Sequence, residues 1–502
     1  MSGRAKLCNS ILKFAKHLWI AVNKFAVLLF LFSSSFFFSI AQKNDITTDT
    51  PSELQVSTST TAPGWLTLRN IVITGNKKTK DYIIKREMTV KPGDSILIST
   101  LSDRLQKMKE NIYNTTLFVT VKVEPILLNA FECDIIVSVK ERIYIFPIPQ
   151  FQLVDRSFDE WLSKYNGSLS RVNYGLKFAH NNLTGRKDKL RLYVINGYTR
   201  NVSASYNAPY SNNRLTEGFY FDAGFAQTKE IPYKTNLDNS IAYFNNGGIA
   251  RDFWYVSGGY TIRRAIKVTH VISLGYSHIQ VSDSILNHLN SGYFNSNSPS
   301  QGYVDIGYSI KYTDVDNILY PLQGLSGYVQ LQKRGLGIKG GVNMFSVEGA
   351  YSKFISLGKK WYSSLQFAGK IKLPFEQPFI NQGALGDKNM FLRGLDLYTI
   401  DGVAYSTAKF NLKREILNFT IPTFFKSKTY NKIPFKFFAK TFADFGYVYS
   451  KERPLTRLNN KLLATAGIGL DILTLYDIHI RLDYSLNQLG QKRLAVNNRS
   501  GF

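Results

Sequence analysis

From about residue 150 to the C-terminus the chain repeats one pattern, short segments in which apolar and polar side chains alternate. Val304, Ile306, Tyr308, Ile310 and Tyr312 are interleaved with Asp305, Gly307, Ser309 and Lys311. Ile478, Ile480, Leu482, Tyr484 and Leu486 are interleaved with His479, Arg481, Asp483, Ser485 and Asn487. A period of two is that of a β-strand with one greasy face and one polar or charged face. A soluble sandwich also alternates, but a second sheet must cover its apolar face. This region keeps no helices and no core-rich stretch to supply that cover. A membrane barrel instead turns its apolar side chains outward to lipid and its polar ones into a wet lumen. No run of about 18 apolar residues follows the N-terminal segment, which excludes transmembrane helices. With strands of about 9–11 residues and roughly 22 residues per strand plus connection, residues 150–502 make about 16 strands. The predicted fold class is mainly β, a transmembrane antiparallel β-barrel.

The composition agrees. Aromatics make up 14% of the 502 residues, with 35 Phe and 30 Tyr against 5 Trp. That excess suits strands and membrane-interface girdles. The net charge is +26, from 62 Lys+Arg against 36 Asp+Glu. Such a balance points to nucleic acid or anionic lipid as a partner. The basic residues are scattered and no DNA- or RNA-reading motif accompanies them. Anionic lipid headgroups are therefore the expected partner, and nucleic acid is not.

The N-terminus carries Arg4, Lys6, Lys13, Lys16 and Lys24 without an acid, then an apolar run broken by serines over residues 25–40. Ser39-Ile40-Ala41 offers small residues to a signal peptidase, so residues 1–41 read as a secretory signal. Residues 42–65 are rich in Ser and Thr and read as a linker. Of the two cysteines, Cys8 lies in the signal and leaves Cys133 alone. No intramolecular disulfide and no Cys-based metal site can then form.

Residues 66–142 are predicted to form a small α+β module of βααββ order. Leu68, Ile71 and Ile73 mark a strand that stops at the turn Gly75-Asn76. Helices are expected over 80–87 and 98–112, separated by Lys91-Pro92-Gly93-Asp94. Residues 118–124 and 135–139 alternate as a half-buried strand pair.

The alternation also sorts the late strands. On residues 435–447 the outward set is Phe435, Phe437, Ala439, Ala443, Phe445 and Tyr447, which leaves Lys436, Lys440, Asp444 and Gly446 facing the lumen. On the preceding strand Phe410 and Leu412 face lipid, while Lys409, Asn411, Lys413 and Glu415 face inward. The stretch between residues 379 and 402 is loop-like and holds Phe391-Leu392-Arg393-Gly394-Leu395.

That run, together with Phe442-Ala443-Asp444-Phe445-Gly446, resembles the paired signatures of BamA/TamA-type outer-membrane barrels. Three further runs add to the likeness: Asn182-Leu183-Thr184-Gly185 with Asp188, Asp314-Val315-Asp316-Asn317, and Tyr320-Pro321-Leu322-Gln323-Gly324. The terminal Phe502 is similar to the end of that family's C-terminal recognition strand. In the N-terminal module, Gly75-Asn76, Arg86-Glu87, Leu117-Phe118 and Val139-Lys140-Glu141-Arg142 resemble a POTRA domain, the periplasmic module of the family. The resemblance implies that the Arg-Gly apex of an extracellular loop folds into the lumen, where Arg393 meets Asp444. Glu415 is a second candidate acid, and Gly394 would let the backbone turn sharply beside the Arg. One departure stands out: the chain has room for a single POTRA unit, whereas relatives devoted to general barrel assembly carry several.

The function so implied is non-enzymatic. An outer-membrane protein with its POTRA unit in the periplasm would capture unfolded polypeptide by pairing at an open sheet edge, then insert it into the membrane or move it across. Clients would be unfolded outer-membrane or secreted polypeptides, and periplasmic or lipoprotein subunits could assist. A dedicated two-partner-type secretion pore for one client is the alternative, and a passive diffusion channel a more distant one. The six histidines lack metal-ligand spacing, and no G-x-S-x-G, phosphate-loop or dinucleotide motif occurs. No cofactor and no metal are expected.

Overall fold

The computed structural model describes residues 64–153, 166–294, 296–336, 341–386, 390–422, 432–451, 455–474 and 477–497. The expected signal, most of the linker and Phe502 lie outside these residues. Trp65, expected to end the linker, opens the first strand.

Six elements make the N-terminal module: β1 (Trp65–Thr74), α1 (Asp81–Lys85), β2 (Ser95–Leu97), α2 (Ile98–Tyr113), β3 (Phe118–Leu127) and β4 (Glu132–Glu141). Its sheet order is β2-β1-β4-β3, with β1 parallel to β4 and β3 antiparallel to it. The order is therefore βαβαββ, one strand richer than the sequence predicts. Ser95-Ile96-Leu97 is too short to display a period. Leu68, Ile83, Ile84, Met108, Ile112, Phe118, Ile135 and Val137 form the core between sheet and helices. Gly75 closes the first strand with φ +89°, and a Cβ there would lie 2.0 Å from the Val139 carbonyl oxygen. Only glycine fits that turn. Asn76 steadies it by donating to the Thr79 carbonyl at 2.9 Å. The module leaves β3 as its long edge strand, and β3 carries Pro125, a residue that edge strands accommodate.

A sheet of sixteen strands follows. Its first members are β5 (Ile145–Leu153), β6 (Val172–His180), β7 (Lys189–Gly197), β8 (Thr199–Ala208) and β9 (Glu217–Thr228). A small hairpin, β10 (Ile231–Thr235) with β11 (Ile241–Phe244), stands apart from it. The sheet resumes with β12 (Arg251–Ile262), β13 (Val268–Val281), β14 (Ser300–Val315), β15 (Gly324–Arg334), β16 (Met344–Gly358) and β17 (Trp361–Leu373). A second small pair, β18 (Gly383–Leu385) with β19 (Ile400–Asp401), lies inside the next loop. The last members are β20 (Ala404–Pro422), β21 (Lys432–Tyr449), β22 (Leu462–Leu473), β23 (His479–Asn487) and β24 (Lys492–Asn497). Every neighbour is antiparallel and the order follows the chain, so the topology is a simple meander.

The sheet is rolled. Turns from far-apart strands converge on the one small module: Gly185 after β6 accepts from Lys80, and Asp477 after β22 accepts from Tyr113. Outward residues such as Phe219, Phe221, Ile272, Leu274, Ile306, Tyr308, Tyr484 and Leu486 are apolar and exposed. Their inward neighbours Arg481, Asp483, Ser485 and Asn487 are buried. The predicted parity also holds on β21, where Lys440, Asp444 and Gly446 point inward. It carries two inward aromatics as well, Phe438 and Phe442.

The barrel begins earlier than residue 150, at Ile145. Pro147 and Pro149 conceal this strand in the sequence. A proline has no N–H for a ladder and is confined to the unpaired side of an edge strand. Strand β5 is such a strand, bonded to β6 on one side. Among the described residues no ladder joins it to β24.

Candidate functional site

Residues 374–386 and 390–403 leave the barrel wall and fold back into it. Leu392 and Leu395 are buried in a cluster with Leu385, Ile400, Tyr405, Val448, Leu458 and Leu463. Burying each such side chain stabilises by about 1.5–3 kcal/mol, so apolar packing seats this loop. Gly446 makes room, since a Cβ there would come within 2.8 Å of a Leu392 methyl. Gly394 has φ +83°, and its carbonyl accepts from Asn487 Nδ2 at 2.8 Å.

Between those glycines Arg393 is gripped on three sides. Its Nε donates to Asp444 Oδ2 at 2.9 Å, and Nη2 donates to Oδ1 in a parallel bond. The backbone N–H of Arg393 also donates to Oδ2, at 3.0 Å. Nη1 donates to Asn411 Oδ1 at 2.6 Å, and the guanidinium lies 3.9 Å from the centre of the Phe442 ring. Asp444 is fully buried and Arg393 nearly so. The planar fork matches the carboxylate with two bonds, which a lysine cannot do. The structure does not bring Glu415 to this site. It pairs with Lys360 Nζ at 3.3 Å, toward the mouth where the module sits, beside a bulge between Glu415 and Leu417. Its inward placement holds, but Glu415 stands six positions along β20 from Lys409, the residue opposite Asp444, too far to reach Arg393.

A second network lies deeper. Lys440 Nζ reaches Asp471 Oδ1 at 2.5 Å and Asp483 Oδ1 at 2.7 Å. Lys413 Nζ lies 3.3 Å from Asp471 Oδ2, which also accepts from Tyr320 OH at 2.8 Å. Tyr320 reaches into the lumen from the turn between β14 and β15 and packs against Phe438 and His479. Its turn stood out in the sequence, but pattern could not reveal that its hydroxyl would enter the lumen.

The module closes the opposite mouth. Glu87, buried after α1, receives Arg263 from the turn after β12 in two bonds, Nη1 to Oε1 at 2.5 Å and Nη2 to Oε2 at 2.9 Å. Tyr210 OH donates to the same carboxylate at 3.1 Å. Burial opposes ionisation of Glu87, yet the bonds and charge of Arg263 outweigh it and hold the carboxyl below its ordinary pKa. Arg86 Nε donates to the Leu215 carbonyl at 2.6 Å and its guanidinium covers the Tyr210 ring. Around the rim, Arg142 and Tyr113 hold Asp477, Asn114 bonds the Val315 carbonyl, and Asn182 bonds Thr79.

Residues 66–142 match the POTRA family, described as surface antigen variable number repeat. The module is a POTRA domain. The chain thus combines a POTRA domain with a sixteen-stranded antiparallel barrel, the architecture expected from its sequence, with the POTRA domain seated on the barrel mouth. Arg86-Glu87, Asn182 to Gly185 and Asp314 to Asn317, separate in the sequence, all meet at this junction.

Solved structures similar to the chain include BamA from Haemophilus ducreyi lacking POTRA domains 1–3, at 18% identity and TM-score 0.47. That match covers 86% of this chain and 83% of the other. CdiB from Escherichia coli is similar at 12% identity and TM-score 0.45, covering 89% and 91%. CdiB from Acinetobacter baumannii is similar at 12% identity and TM-score 0.45, covering 86% and 73%. No curated protein sequence matches the chain.

Proposed function

We propose that this chain is a non-enzymatic outer-membrane protein that takes unfolded polypeptide from the periplasm and inserts it into, or moves it across, the outer membrane. The apolar outer face of the barrel would meet lipid, and its basic surface the anionic headgroups. The POTRA domain would offer β3, whose outer edge lies beside α2 along a groove of about 330 Å³ lined by Leu105, Gln106, Lys109, Lys122 and Val123. An extended client segment could add to that edge by backbone pairing whatever its sequence.

The observation that carries the reading is the pair Pro147 and Pro149 on β5. Alternate residues of a strand aim their N–H groups to the same side. Both prolines are registered within the β5–β6 ladder, so the side lacking their N–H groups is the one turned away from β6. That is the side on which β24 or an incoming client strand would pair. A seam short of two donors opens more readily than any other ladder of the barrel. Clients would leave through it into the membrane.

A disulfide engineered between β5 and β24 tests this. Oxidation should abolish client insertion and reduction restore it, with the barrel folded throughout. Full activity of the oxidised protein would refute lateral exit and favour the second reading, a dedicated secretion pore that passes one client along the lumen. Depletion in the native host separates the two by client range: broad loss of outer-membrane barrels supports assembly, and loss of one secreted protein supports the pore.

A further inference from the structure

The lumen between the Arg393 loop and Tyr320 encloses a cavity of about 30 Å³. Its walls carry five cations, Arg393, Lys409, Lys413, Lys440 and Arg481, and two acids, Asp471 and Asp483. A third acid, Asp444, stands behind Arg393. Every acid has at least one cation beside it, although Asp483 Oδ1 makes no hydrogen bond. Asp444 holds Arg393, Asp471 holds Lys440 and Lys413, and Asp483 holds Lys440.

Two cations remain. Arg481 on β23 stands opposite Asp471 in the ladder, but both oxygens of that carboxylate are taken from other sides. Its Nε is buried without a hydrogen-bond partner. Lys409 on β20 stands opposite Asp444 in the ladder, but Arg393 already takes both oxygens of that carboxylate, and the ammonium lies 5.4 Å from the centre of the Phe391 ring. Both side chains are more than nine-tenths buried. Five cations against three acids leave a surplus of two positive charges among the described residues, and uncompensated buried charge is strongly destabilising. Lysine can escape by losing its proton, but arginine cannot. Among the described residues no further acid lines the cavity, which leaves an anion from outside the chain to supply the balancing charge.

We propose that this cavity is a binding site for one small inorganic oxyanion of the phosphate or sulfate class. A dianion would balance the two spare cations. Arg481 would present its planar fork to two oxygens, Lys409 a point charge from the facing strand, and Gln366 lines the same wall. A single water needs about 10–15 Å³ of such space, so the cavity suits one compact ion and excludes a lipid headgroup with its glycerol. The ion would cross-link β20 to β23 beneath the Arg393 loop, which ties the seating of the loop to its presence.

The test is equilibrium dialysis of the full-length, detergent-solubilised protein against radiolabelled inorganic phosphate, at constant ionic strength in chloride. Saturation near one phosphate per chain is expected, with sulfate competing. Arg481→Gln and Lys409→Met should each weaken binding about tenfold or more, with heat-modifiable migration verifying the folded barrel. The two substitutions sit on different strands, so either serves if the other fails to fold. No saturable binding, or undiminished binding by a folded variant, would overturn the site. So would displacement of phosphate by micelles doped with phosphatidylglycerol, which would assign the affinity to a lipid headgroup at the surface.

Discussion

At the residue scale, Arg393 and Asp444 do not carry equal shares of the latch. Asp444 accepts from the guanidinium and from the Arg393 backbone N–H, and the latter bond survives any substitution of the arginine. Arg393→Ala should therefore lower barrel stability by up to about 3 kcal/mol, and Asp444→Ala by more, in denaturant titrations of the purified protein. The double variant should match Asp444→Ala; additive losses would mean that the side chains do not interact. Arg393→Lys should recover little, because an ammonium cannot bridge both carboxylate oxygens and Asn411. Strict alternation put Asp444 on the inner face, and resemblance supplied its partner. Asn411 was also legible as an inward residue, but nothing in its neighbours marked it as the second acceptor. Glu415 misled for a physical reason: alternation gives the face but not the depth, and this inward acid lies six positions along β20 from the residue opposite Asp444.

At the element scale, the two end strands of the sheet set different expectations. Replacing Pro147 and Pro149 together with threonine restores two donors on the free side of β5 and favours strand geometry. The barrel should become more resistant to thermal unfolding while client insertion slows. Unchanged insertion by the more stable variant would separate the seam from the activity. On β3, Lys122→Pro and Val123→Pro form a matched pair, since successive N–H groups point to opposite sides of a strand. One removes an outward donor and should reduce binding of unfolded peptides with the domain intact. The other breaks the β3–β4 ladder and should unfold the domain, as amide exchange would report. The sequence located both helices of the POTRA domain because Pro92 and Gly93 punctuate them. It missed β2 because three residues cannot display a period, and it missed β5 because Pro147 and Pro149 disguise its pattern.

At the scale of the whole molecule, the lumen is stoppered twice, by the Arg393 loop from one end and the POTRA domain from the other. Glu87 makes the second stopper pH-sensitive. Its carboxyl is held below its ordinary pKa when docked, so docking gains from it above about pH 4 and loses that gain as the pH falls through the depressed value. Glu87→Gln should loosen the domain at neutral pH as acid loosens the native protein, seen as faster proteolysis between the domain and β5 and as higher conductance in planar bilayers. Equal conductance of the two proteins at neutral pH would show that the junction does not limit flow. The opposite rim is governed by one small side chain. Asn239, fully buried between β10 and β11, donates to the Thr399 carbonyl at 3.0 Å and to Thr456 Oγ1 at 2.8 Å, and accepts from the Leu458 N–H at 3.0 Å. Three loops from distant parts of the chain thereby meet at one side chain, reinforced by bonds from the Arg457 N–H to the Leu237 carbonyl and from Asn459 to the Asp401 carbonyl. Loops fastened together should move as one, so single-channel records should step between two levels, and Asn239→Ala should fill the gap with intermediate ones.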